Sequence, residues 1–258
     1  MNLSGITATA TAPSTGAAAA AVTGDSLTTL NAKHGRNGIL AAWQTNQVAG
    51  AGQVSFPSAH DTTRGHRASV PVGSAFLIAL GFEMKVQPQE VIAPYIIGSA
   101  TSGDVEQMTL LLRYSDMPGL DQRLISAAAL KGRLEALTTL EASITSGAGP
   151  GYSGDELINA DSDLLKANRD YALLGFTSRT AVHAIGIKGP DTANARILCP
   201  GFLRSELTSG FFPLLSRAYG EPLIPVINSG NKGSTYLFVH TDENAGTFLV
   251  TAHLALLR

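Results

Sequence analysis

Residues 221–258 read EPLIPVINSGNKGSTYLFVHTDENAGTFLVTAHLALLR, and the alternation within this run decides the fold class. Residues 234–241 (STYLFVHT) are β-branched and aromatic, types that suit a pleated surface. The following DENAG at 242–246 supplies the acids, Asn and Gly that favour a turn. From Thr247 to Leu257, Phe248, Val250, Ala252, Leu254 and Leu256 recur at period two. The opposite face is also partly apolar. The pattern therefore predicts a terminal hairpin covered on both sides, with His240 opposite about Phe248.

Working back from this run, residues 180–188 and 194–198 read as strands around a Gly189-Pro190-Asp191 turn. Pro200-Gly201 and a Leu/Phe-rich stretch to Tyr219, partly helical, come next. The period changes over 116–146. There Leu120, Leu124, Leu130, Leu134, Leu137, Leu140 and Ile144 fall at mostly three- and four-residue steps after a possible Asp116 N-cap. That spacing predicts an amphipathic helix stopped at Gly147. A second helix is expected over 155–174, with Leu157, Leu164, Leu165, Asn168 and Ala172 inward.

Nearer the start, 53–56, 69–86, 90–98 and 106–114 read as strands punctuated by Pro and Gly, and 39–47 as a short helix around Trp43. Residues 1–30 are small and almost uncharged, a composition that cannot bury enough apolar area to fold alone. They read as an extended arm, lying along its own domain or added as a strand to a neighbour. The expected class is mainly β with a helical insertion (α+β), a jelly-roll-like sandwich. An arm and connecting segment fill 1–50, and a β-sandwich fills 51–258 with helices at about 116–174. Two small β-domains remain an alternative. No internal repeat at a fixed period is visible.

The 258 residues are 44% apolar and only 15% charged, against about a quarter charged in ordinary domains. Such a shortage points to a surface facing other protein, although Ser, Thr, Asn and Gly can also solvate one. The net charge is −2 with no basic tail or stripe, so strong nucleic-acid binding is not expected. No apolar run reaches the roughly 18 residues of a membrane helix. A signal-peptide order is also absent, so synthesis in the cytoplasm is expected. The single cysteine, Cys199, sits between Leu198 and Pro200 and reads as a buried structural thiol.

No motif assigns chemistry. GPGYSG at 149–154 has dinucleotide-fingerprint spacing, but the expected helix before it makes it a loop. GNKGST at 230–235 lacks the phosphate-loop order and reads as a turn. Of the histidines, His34 stands alone, and His60 and His66 lie in the polar SAHDTTRGHR. His183, His240 and His253 fall on strands, with no H-x-H that would begin a metal site. Asp161 with Asp163, and Asp242 with Glu243, suit capping and solvation better than acid–base work. No catalytic, cofactor-binding or metal residue is therefore expected.

The run PLIPVINSGNKGSTYLFVHTDENAGTFLVTAHLALLR resembles the closing strands of jelly-roll virion proteins. With the small-residue arm and the helical insertion, the chain is similar to a viral or bacteriophage capsid protein. The resemblance implies a non-enzymatic coat subunit that tiles a shell in the virion. Its partners would be copies of itself, in threefold building blocks, and other virion proteins. The near-neutral arm departs from the basic arms of single-stranded RNA capsids, so the genome would be packaged by other means or lie behind another layer. A phage decoration, spike or tail component is a second reading, and a β-sandwich enzyme or small-ligand binder a third.

Overall fold

The computed structural model describes residues 2–11, 20–21, 23–24, 37–46, 53–58, 61–68, 75–76, 84–86, 95–97, 105–114, 121–147, 149, 151–158, 165–201, 208–241 and 246–258. These residues are mainly β. The chain divides into two compact units, one built from Gly5–Leu77 and Glu83–Asp116 and the other mainly from Met117–Arg258.

Among the described residues of the first half are strands β1 (Asn2–Thr11), β2 (Ala20–Ala21), β3 (Thr23–Gly24), β4 (Asn37–Asn46), β5 (Gln53–Ser58), β6 (Asp61–Ala68), β7 (Ala75–Phe76), β8 (Met84–Val86), β9 (Tyr95–Ile97) and β10 (Val105–Tyr114). One sheet runs β3-β1-β10-β4-β7, with β8 also on β4, and the other runs β2-β9-β5-β6. The stretch expected as a helix around Trp43 is strand β4, paired with β10 so that Ala42 meets Leu110 and Trp43 meets Thr109. Ile39, Leu40, Ala41, Ala42 and Trp43 are all buried. An apolar run buried on both faces has no period, so spacing cannot separate helix from strand there. The expected arm begins as β1, a strand of the chain's own sheet in which Leu3 and Ile6 are buried. Thr7 and Thr109 share a hydroxyl hydrogen bond of 2.6 Å.

The second half holds β11 (Leu124–Ile125), helix α1 (Ala127–Arg133), β12 (Leu134–Thr145), β13 (Gly151–Tyr152), β14 (Glu156–Leu157), β15 (Asp170–Ser178), β16 (Val182–Lys188), β17 (Ile197–Gly201), helix α2 (Phe211–Tyr219), β18 (Ile224–Asn228), β19 (Tyr236–Thr241) and β20 (Thr247–Leu257). One sheet is ordered β11-β18-β15-β20-β12 and the other β13-β19-β16-β17, with β14 also on β19. The two sheets meet through β12 with β19 and β15 with β17.

Both units thread their strands in the same order. Counting β7 with β8, and β13 with β14, as single positions, and setting β3 and β11 aside as extra edge strands, each unit has eight. They lie first-eighth-third-sixth in one sheet and second-seventh-fourth-fifth in the other.

The long helix expected over 116–146 is not formed. Ser126 caps α1 by accepting from the Ala129 N–H at 3.1 Å, and the helix ends after seven residues, where Leu134 turns extended. Beyond it β12 pairs with β20 from Leu134↔Leu257 to Thr145↔Thr247. Leu140, Ala142 and Ile144 then point inward at period two, while Leu137 is 69% exposed. A partner strand along the whole segment overrides a helical spacing of leucines. The second expected helix, 155–174, is replaced by β14 and the start of β15. Asn168, expected inward on that helix, has φ +52, and β15 pairs with both β18 and β20. Of its other expected inward residues, Leu165 and, in β15, Ala172 are buried, Leu157 is half-buried in β14, and Leu164 lies outside the described residues.

The last two strands also correct the terminal hairpin. β19 and β20 belong to different sheets, so the chain crosses between them after Thr241. Residues 242–245 of the expected DENAG turn, and most of the strand expected over 69–86, lie outside the described residues. The expected strand over 247–257 is β20 as drawn, with Phe248, Val250, Ala252, Leu254 and Leu256 buried. Each large side chain among them gains roughly 1.5–3 kcal/mol from burial. Leu254→Asp sets an unpaired charge in this layer. Circular dichroism of that variant should report an unfolded chain, and a native-like spectrum would contradict the burial of β20. Gly175 has a second constraint, because a Cβ there would stand 1.8 Å from the Thr208 carbonyl oxygen. Backbone has to move to admit it. Gly175→Ala should cost about 1–3 kcal/mol in urea titration, and an unchanged midpoint would show that residues 208–209 give way freely.

Candidate functional site

The second unit gathers aromatic and titratable side chains on the sheet of β13, β16 and β19. Tyr152 and Ala184 each stand opposite His240 in the strand register. The β16–β17 register shifts between Val182 and Ala184, and this irregularity brackets His183. Such a bulge re-aims a side chain, and the His183 and His240 rings come to 5.6 Å between centroids. Tyr152 meets His240 edge-on at 4.7 Å and Phe238 at 5.5 Å, and the Arg196 guanidinium lies 4.2 Å over the Tyr152 ring. Both imidazoles are buried, His183 being 2% exposed. Burial, and then the neighbouring His240, hold His183 well below its ordinary pKa. A neutral His183 imidazole is what this desolvated layer accommodates.

The structure separates His253 from this cluster. It lies on β20, in the other sheet, where its Nε2 is 2.9 Å from Thr177 Oγ1 and burial lowers its pKa. His240 and His253 are thus kept apart by the sheet crossing rather than by rungs of one hairpin. His66 lies on β6 opposite Phe56. His34, His60, Asp161, Asp163, Asp242 and Glu243 lie outside the described residues. Among the described residues, no three or more of His, Cys, Asp and Glu converge as metal ligands would.

Cys199 is buried on β17, as its neighbours predict, with its thiol 3.7 Å from the Thr208 carbonyl oxygen. Burial pushes this thiol far up, which disfavours the nucleophilic thiolate. Gly151 and Tyr152 of GPGYSG form β13, so the motif is not a link between helices. The Ser153 N–H donates to the Val239 carbonyl at 2.8 Å, and the Ser153 hydroxyl accepts from the Val239 N–H at 2.9 Å. GNKGST forms a 3-10 turn over Ser229–Ser234, started by Asn228 Oδ1 accepting from the Gly230 N–H. Both motifs are occupied in holding strands.

Most described ion pairs staple loops at one end of this unit. Arg123 holds Asp170 through both guanidinium nitrogens, at 2.9 and 2.5 Å, and reaches Asp191 at 3.5 Å. Asn228 donates to Asp170 and Asn231 to Asp191. The hydrogen bond from Arg123 is the chief reason the Asp170 carboxyl titrates below its usual range. Glu135 is held by Lys166 and Arg169, and Arg169 also donates to the Leu257 carbonyl. Sequence reasoning missed these residues because their partners lie roughly 30 to 70 positions apart. What stands out on the surface instead is apolar: Leu134 and Leu137 at the start of β12, and Leu214 on α2.

No protein-family model matches the chain, and no curated protein matches it in sequence. Among solved structures with a slight likeness are the following three. The PBSX exported protein XepA is 8% identical, with 98% of this chain and 86% of that one covered, at a TM-score of 0.25. Protein YhaK from Escherichia coli is 11% identical over 96% and 82%, at 0.24. The major capsid protein P2 from bacteriophage PM2 is 8% identical over 98% and 97%, also at 0.24. Scores this low leave the reading of this chain to its own residues and strand order.

The buried imidazole gives a pH dependence whose sign is fixed. His183 has a depressed pKa in the folded chain and its ordinary value, 6.5, when unfolded. As pH falls, the unfolded chain takes up the proton first. This contribution to stability is therefore complete above about pH 7 and drains away below about 6.5, by at most ~1.4 kcal/mol per pH unit. The urea midpoint should fall between about pH 7.5 and about pH 5, and His183→Leu should make that decline shallower whatever its effect on the starting level. Parallel declines in the two proteins would remove His183 as the cause.

Proposed function

We propose that each unit is a jelly roll and that the chain is a structural, self-assembling virion protein, a capsid or coat subunit. Its partners would be copies of itself and other virion proteins, and its location the virion. The observation that carries this reading is the strand order, first-eighth-third-sixth against second-seventh-fourth-fifth, occurring twice in one chain. That order is the double-sheet jelly roll's, an architecture used by viral shells, lectins and cupins. Two such blocks per chain suit wall building: a closed ring of three copies would supply six blocks of one topology from one kind of subunit.

The surface chemistry supports the same reading. Only 15% of residues are charged, and interface centres are depleted in charge. Many weak, near-neutral contacts add up when each subunit makes several at once. On this reading the chain is not an enzyme and needs no cofactor. A phage decoration, spike or tail component would share these features and differ in copy number. One observation favours the third reading, a small-ligand binder: cupins share the strand order, and His183, His240 and Tyr152 lie together in one sheet.

Electron microscopy of the purified protein, with its solution mass, tests the proposal. Closed particles or discrete oligomers are expected. A chain that stays monomeric at high concentration in low and high salt overturns the shell reading. Metal or ligand that co-purifies with that monomer, and is lost in His240→Ala, would put the binding reading in its place.

A further inference from the structure

We infer that Gln122 is the catch of an N-terminal latch. Its side-chain amide holds the start of β1 in the second unit as a neighbouring strand would, and the latch opens without unfolding that unit. The inference goes beyond the virion reading and stands without it. Asn2, Leu3 and Ser4 count with the second unit, whereas β1 from Gly5 onward counts with the first. Both Asn2 and Leu3 are buried.

Leu3 is met at both of its main-chain groups. Gln122 Oε1 accepts from the Leu3 N–H at 2.6 Å, and Gln122 Nε2 donates to the Leu3 carbonyl at 2.6 Å. Opposed residues of an antiparallel pair exchange two bonds in the same way, so one side chain stands in for a strand partner. Nε2 also donates to the Thr192 carbonyl at 3.0 Å, and the Gln122 N–H donates to Asn2 Oδ1, again at 3.0 Å. Both amide hydrogens and the amide oxygen are thus committed. Two carbonyls facing Nε2 fix which way round the amide lies.

The catch is braced by contacts that do not involve β1. Thr192 ends the 3-10 turn Pro190–Thr192, is buried, and accepts at its hydroxyl from the Gly189 N–H at 3.0 Å. The next residue after the catch, Arg123, donates its N–H to the Asp191 carbonyl at 3.3 Å and its guanidinium to Asp170. The start of β1, in turn, is seated by the Gln122 amide, the Asn2 side chain and the buried Leu3 side chain. A segment seated by so few groups opens at a free energy below that of the whole unit. While it is seated, these residues lie along their own chain. An arm that adds a strand to a neighbouring copy has first to leave this catch.

Nuclear magnetic resonance on the full chain tests the latch. In Gln122→Leu the amide hydrogen exchange of Leu3 should quicken at least about tenfold, the equivalent of losing one or two net hydrogen bonds. The Leu3 methyl signals should move to random-coil positions. Gln122→Glu keeps the shape of the side chain, but at neutral pH it lacks both donors and sets a carboxylate beside two carbonyl oxygens. It should release Leu3 as fully as Gln122→Leu does. Exchange in β20, which pairs with β12 and β15, should stay at the native rate in both variants. Leu3 methyls that keep their native positions in either variant would show that side-chain burial seats the segment without the amide, and would overturn the catch. Equal acceleration at Leu3 and in β20 would mean that the amide supports the whole unit, and would overturn the latch.

Discussion

The second unit depends on one pairing, the seating of β20 between β12 and β15. β20 pairs along its whole length with β12, from Leu134↔Leu257 to Thr145↔Thr247, and over Val250 to Leu256 with β15, from Tyr171↔Leu256 to Ser178↔Val250. Once this strand is central, β12 has to be the edge, and β15 is left to pair outward with β18. The inward row of Phe248, Val250, Ala252, Leu254 and Leu256 then forms the floor of the core. Nothing local brings this about, since β12 and β20 are about a hundred residues apart. Pairings so distant pay loop-closure entropy before they return any contact. Helices α1 and α2 are tied to each other more locally: Ser216 Oγ accepts from the Ala127 N–H at 2.9 Å and donates to the Glu221 carbonyl at 2.5 Å.

The same order is reached in the first unit with different residues. There β10 sits between β1 and β4, with Leu110, Leu111, Leu112, Ile39 and Trp43 buried. No sequence period links the halves, because what the order needs is a strand with two pairing edges at the end of each unit. Side-chain identity sets which face is inward, and many apolar sets satisfy that. The differences are at the margins. β3 is added outside β1, β11 is added beside β18, and the short helix α1 stands before β12.

Sequence reading placed β10, β16 and β20 close to where they lie, from the alternation in β10 and β20 and from the β-branched residues of β16. It failed in one direction, taking buried or edge strands for helices. In β12 the leucines mislead, while Thr138, Thr139, Ile144 and Thr145 are the β-branched signal that was outweighed. At 155–174 the αL conformation of Asn168 ends any helix, and Asn tolerates that conformation far better than most residues. The hairpin error has another origin. A turn-like DENAG between two apolar strands fits a local pair, and a crossing between sheets leaves no local trace. For the same reason the Tyr152–His183–His240 cluster was unreadable, since it joins three strands spread over about ninety residues. The buried state of Cys199 was legible from its neighbours alone.

Charge distribution ties the fold to the assembly proposal. The chain has 18 basic and 20 acidic residues, and several are spent inside the molecule. Arg123 serves Asp170 and Asp191, Glu135 takes both Lys166 and Arg169, and Lys188 pairs with Asp155 at 2.5 Å. Exposed pairs of this kind add little stability singly. Their larger effect is that opposite charges held against one another present almost no net field a Debye length away. A surface already short of ions is thus more neutral than its composition states. Two copies of such a chain meet with little long-range repulsion, so short-range terms decide where they touch.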